Sequence, residues 1–207
     1  MKKYKIILAS NSPRRKELLA GLDVPFEVKV IKGIDESYPE TLDAYDTAQY
    51  IAAKKADAYR GLLEESKQGE EPLLILTADT VVIAPAGNEQ NDQEGKGIIL
   101  GKPKDAEDAH RMLRMLSGKT HHVVTGVCLT TREDQRAFSV VTEVTFKELT
   151  DQEIDYYISH YQPFDKAGAY GIQEWIGYIG CTGLQGSYYN VMGLPVQRIY
   201  EELQKMR

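Results

Sequence analysis

The run Leu73-Leu74-Ile75-Leu76-Thr77-Ala78-Asp79-Thr80-Val81-Val82-Ile83 admits few folds. It is almost continuously apolar between Pro72 and Pro85, where a strand with one face in water would alternate. Such a run marks a strand covered on both faces, as in an α/β protein whose sheet lies between helices. Asp79 sits inside it. A carboxylate there costs several kcal/mol unless it is paired or bound to a metal. An Asp capping a turn between two short strands would explain it structurally. A strand-end Asp beside cationic groups would instead serve as a Mg²⁺ ligand or as a base that activates water, and the functional reading is favoured.

A second dense signal is Ser10-Asn11-Ser12-Pro13-Arg14-Arg15-Lys16-Glu17-Leu18-Leu19, which follows the short apolar strand Ile6-Ile7-Leu8-Ala9. Ser12 then Pro13 is a helix start: a hydroxyl to cap free N–H groups and a ring pre-set to helical φ. Arg14 and Arg15 fall in the first turn, where the helix dipole is already positive. Two guanidiniums and several free N–H groups at one helix start suit an anion, most commonly phosphate. A solvated basic turn is the plainer alternative.

Between these two signals, Phe26 to Val30 alternates like a half-buried strand, and Gly33-Ile34-Asp35-Glu36 reads as the loop leaving it. Glu36 is a weak metal candidate. From about Asp43 to Glu65 the pattern is helical, with Ala48, Ile51, Ala58 and Leu62 on the buried face. Lys55 shares that face and must reach water or an anion, whereas Lys54 is expected to point well away.

Beyond the central strand, residues 86–97 read as a polar, Gly-rich hairpin excursion. Gly101-Lys102-Pro103 fixes a turn that aims Lys102, and Asp105 starts a helix over 106–116. His121 to Thr131 and Ala137 to Phe146 form a long hairpin, with His121-His122 structural. A helix follows over 151–160, then Asp165 to Gln173, whose glycines suit backbone lying close to a ligand. The last helix runs from Pro195 to Met206. Strands interleaved with four or five helices, without repeats or linkers, give an α/β class with a mixed twisted sheet.

The 207 residues carry a net charge of −6, which argues against a general nucleic-acid binder. A local cationic pocket in an acidic protein suits a small anionic ligand. No apolar run approaches a membrane span, no signal-peptide stretch opens the chain, and the cytoplasm is the expected location. The two cysteines have neither the number nor the spacing of a zinc site or disulfide framework.

These blocks resemble the Maf proteins, nucleoside triphosphate pyrophosphatases related in fold to the ITP/XTP pyrophosphatases. The agreement covers Ser10-x-Ser12-Pro13-Arg14-Arg15, Lys55-Ala56, Ala78-Asp79-Thr80, Gly101-Lys102-Pro103, Leu116-Ser117-Gly118, Asp165 to Gln173, Gly186-Ser187-Tyr188 and Gly193-Leu194-Pro195. The resemblance implies one Maf-like domain over 1–207, in two lobes around a central cleft. It implies hydrolysis between the α- and β-phosphates with a divalent cation, Mg²⁺ or Mn²⁺. Asp79 would be the proton acceptor or metal carboxylate, with Glu36 a second metal candidate. Ser10, Arg14, Arg15, Lys55 and Lys102 would hold the triphosphate. Arg15, Thr80 and Gln173 match the branch active on dTTP and UTP, and an amide at Gln173 can pair with the O4/N3–H edge of thymine or uracil. The branch acting on 7-methyl-GTP has glutamine in place of Thr80. Glu174-Trp175 departs from the family's glycine and is expected to reshape the base pocket.

The alternatives are a pyrophosphatase for 7-methyl-GTP or other modified nucleotides, and a non-enzymatic nucleotide-binding regulator of cell division. The expected partner is a small-molecule nucleoside triphosphate, with no nucleic acid and no membrane, and with a homodimer left open.

Overall fold

A computed structural model describes residues 4–65, 71–86 and 97–206. The apolar runs become a seven-stranded mixed sheet. Its strands are β1 (Lys5–Leu8), β2 (Phe26–Val28), β3 (Leu73–Ala84), β4 (Ile98–Leu100), β5 (Thr120–Thr130), β6 (Gln135–Phe146) and β7 (Cys181–Gln185). The order is β2-β1-β3-β5-β6-β7, with β4 also on β3. β1 pairs in parallel with β2 and β3, while β4, β5 and the strands beyond pair antiparallel. The eight helices among the described residues exceed the four or five expected. They are α1 (Pro13–Ala20), α2 (Ala44–Asp57), α3 (Arg60–Glu65), α4 (Ala106–Leu116), α5 (Asp151–Tyr161), α6 (Trp175–Gly180), α7 (Tyr188–Met192) and α8 (Val196–Lys205).

The central strand is one unbroken element, so Asp79 lies in mid-strand and caps no turn. β5 occupies one edge of β3 from Ile75 to Ile83. β1 and β4 share the other edge, β1 pairing as far as Leu76 and β4 from Val82 onward. Between them, residues 77–81 have no strand partner on that side among the described residues. The sheet therefore has a notch in it, and Asp79 and Thr80 stand at the notch.

The core divides at the same place. Ile6, Leu8, Leu18, Leu19, Leu74, Leu76 and Ala78 pack with α8 through Ile199. Val82, Ala84 and Leu100 pack instead with Met112 and Leu116 of α4 and Ile154 and Ile158 of α5. Each half of β3 thus anchors its own apolar cluster, and the cleft opens between them.

The helical stretch expected over 43–65 breaks at Ala58–Tyr59 into α2 and α3, and its buried face differs in detail. Thr47, Ala48, Ile51, Ala52 and Ala56 are buried, whereas Ala58 is exposed; Leu62 is half-buried against the apolar cluster that holds the buried Leu63. Tyr59 takes over the inward position, and its hydroxyl donates to Lys29 O at 3.1 Å and accepts from Ile31 N at 2.9 Å. The hairpin excursion expected at 86–97 lies, apart from its ends, outside the described residues.

Candidate active site

α2 is held against the sheet by two features of the strands beneath it. Thr77 Oγ1 donates to Ala52 O at 2.6 Å. Gly126, paired across from Asp79, leaves room for the helix backbone: a Cβ there would lie 2.2 Å from Ala48 C and Gln49 N. A helix so close to the sheet carries Lys55 directly to Asp79. Lys55 Nζ donates to Asp79 Oδ1 at 2.7 Å and lies 3.0 Å from Glu36 Oε1. The Lys55 and Asp79 side chains are only 13% and 15% exposed, so this pair is weakly screened.

Lys54 lies off the buried face, as expected, but is not free in solvent. Its ammonium donates to Asp35 Oδ2 at 2.7 Å, Ser37 O at 2.8 Å and Ser37 Oγ at 3.1 Å. Asp35 in turn accepts from Ser37 N and Oγ at 2.9 and 2.7 Å. These hydrogen bonds, from Lys54 first and then from Ser37, hold the Asp35 carboxyl well below its ordinary range. Adjacent lysines thus divide one loop between them: Lys54 grips the residues on either side of Glu36, and Lys55 takes the Glu36 carboxylate.

At α1 the helix start is capped as the sequence predicts, with Ser12 Oγ accepting from Arg15 N at 3.4 Å. Ser10, nearly buried, accepts from Ser12 N at 3.2 Å. Arg14 faces outward and donates to Asp165 Oδ2 at 2.8 Å. Arg15 turns inward: Nε donates to Gly193 O at 2.8 Å, one terminal nitrogen to Ala78 O at 2.8 Å and the other to Thr80 Oγ1 at 3.0 Å. Arg15 therefore fills the notch, satisfying a carbonyl that a strand would otherwise take. Burial draws its pKa below the usual guanidinium range, against the opposing pull of Asp79. Thr80 Oγ1 also meets Thr125 Oγ1 at 2.9 Å.

Successive strand residues face opposite sides of a sheet. Asp79 meets α2 on one face and Thr80 meets Arg15 on the other, yet both line one cavity, and the notch joins the two sides. Lys55, Lys102, Arg14, Lys166 and Gln173 line it too. A wider cleft beside it shares Arg14, Lys55 and Lys102 and adds Ser10 and Glu36. Every side chain expected from the sequence to serve catalysis, metal or substrate thus borders one of these two adjoining hollows. Gln173 Oε1 is buried without a hydrogen-bond partner among the described residues, an unmet acceptor in the cavity wall.

The segment Asp165 to Gln173 forms the far wall. Gly168 has φ +68° and lies under Val82, where a Cβ would come within 2.8 Å of Cγ2. Tyr170 is buried and its hydroxyl meets His121 Nε2 at 2.7 Å. Burial opposes ionisation of Asp165, but hydrogen bonds from Lys166 and Arg14 hold it down to about 2. Glu174 and Trp175 do not line the cavity: Glu174 pairs with Lys166 at 3.1 Å, and Trp175 packs on Tyr156. Their effect on the pocket is therefore indirect, which sequence patterning could not show. Sequence reading also missed Gly126 and Lys166, whose importance depends on contacts between distant segments.

A notched sheet, a half-buried carboxylate paired with a lysine, and cations around one cleft define an α/β protein built for a polyanionic ligand. The chain belongs to the Maf family: residues 5–206 match the family described as Maf-like protein. It is 58% identical to a dTTP/UTP pyrophosphatase of Phocaeicola vulgatus, covering 100% of this chain and 98% of that one. It is 55% identical to a dTTP/UTP pyrophosphatase of Porphyromonas gingivalis, over 98% and 94%. One of Bacteroides fragilis is 53% identical, over 99% and 97%. Among solved structures there is a distant likeness to the Staphylococcus aureus Ham1 protein, 14% identical with a TM-score of 0.48, covering 98% of this chain and 100% of that one.

Proposed function

We propose that the chain works as one Maf-like domain that hydrolyses dTTP and UTP to the nucleoside monophosphate and pyrophosphate. The observation that carries this reading is the single cavity lined at once by Asp79, Lys55, Lys102, Arg14 and Gln173. The cations suit phosphates, and Gln173, whose amide oxygen has no hydrogen-bond partner among the described residues, lines the same cavity and suits a base.

The unpartnered Gln173 Oε1 accepts the N3–H of thymine or uracil, and its amide N–H donates to O4. Cytosine has no N3–H and an amine at C4, so it leaves both groups of the amide badly paired, a larger penalty than a missing methyl group. Arg15 acts by fixing Thr80 and the Ala78 carbonyl, since three of its donors are already engaged. Arg14, Lys102 and Lys55 neutralise the triphosphate, and Ser10 borders its path. Asp79 accepts the proton of the attacking water as oxygen approaches the α-phosphorus, and the bond to the β-phosphate oxygen breaks with pyrophosphate as leaving group.

No group of three or more metal-ligating side chains exists among the described residues. The donor set nevertheless fits Mg²⁺ or Mn²⁺, because two carboxylates, Asp79 and Glu36, converge on one point occupied by the Lys55 ammonium. Such ions take one or two carboxylates and complete their shell with phosphate oxygens and water. Bound there, the cation supplies charge neutralisation of the phosphates.

Pyrophosphate release from dTTP, UTP, dCTP and 7-methyl-GTP with Mg²⁺ or Mn²⁺, beside Asp79→Asn, tests the reading. Release from dTTP and UTP that disappears in the variant supports it. Release from modified nucleotides alone moves the substrate, and triphosphate binding without any release makes the chain a nucleotide-binding regulator.

A further inference from the structure

A line of bonded groups runs along the cavity wall and then behind it: Arg14, Asp165, Lys166 and Gly171 border the cavity, whereas Tyr157 and Glu174 do not. Tyr157 Oη accepts from Gly171 N at 3.0 Å and donates to Glu174 Oε2. Glu174 Oε1 lies 3.1 Å from Lys166 Nζ, and Lys166 Nζ lies 2.8 Å from Asp165 Oδ1. Asp165 Oδ2 receives Arg14. Charges alternate along this line from Arg14 to Glu174, and its inner members are shielded: Tyr157 is fully buried and Lys166 is 8% exposed.

The line grips a particular turn. Glu174 N donates to Gly171 O at 3.0 Å, closing residues 171–174 into a β-turn whose third residue is Gln173. The Tyr157 hydroxyl therefore holds both ends of that turn, the Gly171 amide at its start and the Glu174 carboxylate at its close. Burial and the Glu174 charge push the Tyr157 phenol far above its ordinary range, so it remains a donor at every working pH. Buried ion pairs add little net stability, but they penalise any arrangement that leaves one partner unpaired. A turn bolted on both sides leaves the Gln173 side chain little freedom except to face the cavity.

We propose that Glu174, acting through Tyr157 and Lys166, positions Gln173 and thereby sets discrimination between pyrimidine bases. It is a positioning residue, and the proposal rests on the reading that Gln173 meets the base.

Equilibrium binding of dTTP and dCTP to the full chain, with pyrophosphate release in parallel, tests this in Glu174→Gln and Tyr157→Phe. The wild type should prefer dTTP. In each variant that preference should fall by about tenfold or more, chiefly through KM for dTTP, because a small misplacement of an orienting group is costly. The double variant should lose no more than the worse single one, since both cut the same line. Variants that fold and keep the wild-type preference, or that lose dTTP and dCTP binding equally, overturn the proposal while leaving the function intact. A wild type without preference overturns both. If Glu174→Gln fails to fold, Tyr157→Phe decides alone.

Discussion

Lys55 Nζ and Asp79 Oδ1 stand 2.7 Å apart in mid-cleft, brought together by a helix resting on a glycine. The pair is poised between two uses: the lysine offsets the charge of the carboxylate it hydrogen-bonds, and both groups line the cavity a triphosphate would enter.

Replacing the carboxylate alone should separate chemistry from folding. Asp79→Asn is expected to lower kcat by about 10²–10⁴-fold, the range for loss of a general base, with the melting temperature little changed. Single-turnover pyrophosphate release measures it, and near-native turnover would remove Asp79 from that role.

The two neighbouring arginines should fail differently. Arg14→Ala should raise KM, because Arg14 lines the cleft and Asp165, the carboxylate it pairs with, is half exposed. Arg15→Ala removes the donors to Ala78 O and Gly193 O and leaves Thr80 Oγ1 with Thr125, and should lower Tm by roughly 5–10 °C besides impairing activity. Calorimetry of both variants decides the matter, since equal Tm values would return Arg15 to a phosphate-holding role.

His121 gives the stability a pH dependence. Burial holds its imidazole down to about 3, so it is neutral when folded, whereas the unfolded chain takes up a proton below about 6.5. Stability should therefore be complete above that value and decline by up to about 1.4 kcal/mol per pH unit as pH falls towards the folded value. Urea midpoints at pH 7 and pH 5 should differ less in His121→Phe than in the wild type. Parallel shifts in the two proteins would show that other groups carry the slope.

Gly126→Ala should be among the most damaging single changes. A methyl group there meets helix backbone, which cannot rotate aside, so α2 must lift and carry Lys55 away from Asp79. A loss above about 4 kcal/mol is expected, well beyond ordinary substitutions. Denaturant unfolding measures it, and a loss below 1 kcal/mol, taken as about the average substitution, would contradict the close helix approach.

Much of this was legible in the chain because its signals are local. The doubly covered strand, the Ser12-Pro13 helix start and the inward Lys55 each depend on a few neighbouring residues. Arg15 shows where such reading stops. Its place in the first turn suggested phosphate, but three of its donors go to Ala78, Thr80 and Gly193, and no spacing rule reaches that far. Lys54 marks a related limit: helical periodicity rightly places it off the apolar face, but says nothing about a loop folded against that flank. Gly126 looks like an unremarkable strand glycine until the helix above it is seen.

The notch filled by Arg15 also bears on how the molecule comes into being. Its three partners lie 63, 65 and 178 residues away along the chain, and Arg14 finds Asp165 151 residues away. Contacts of such separation cannot form until synthesis has passed Gly193, and closing such loops is a slow part of folding. A growing chain that has not reached Gly193 has no complete cleft to offer a nucleotide, so competence for binding should arrive abruptly, once that residue is in place.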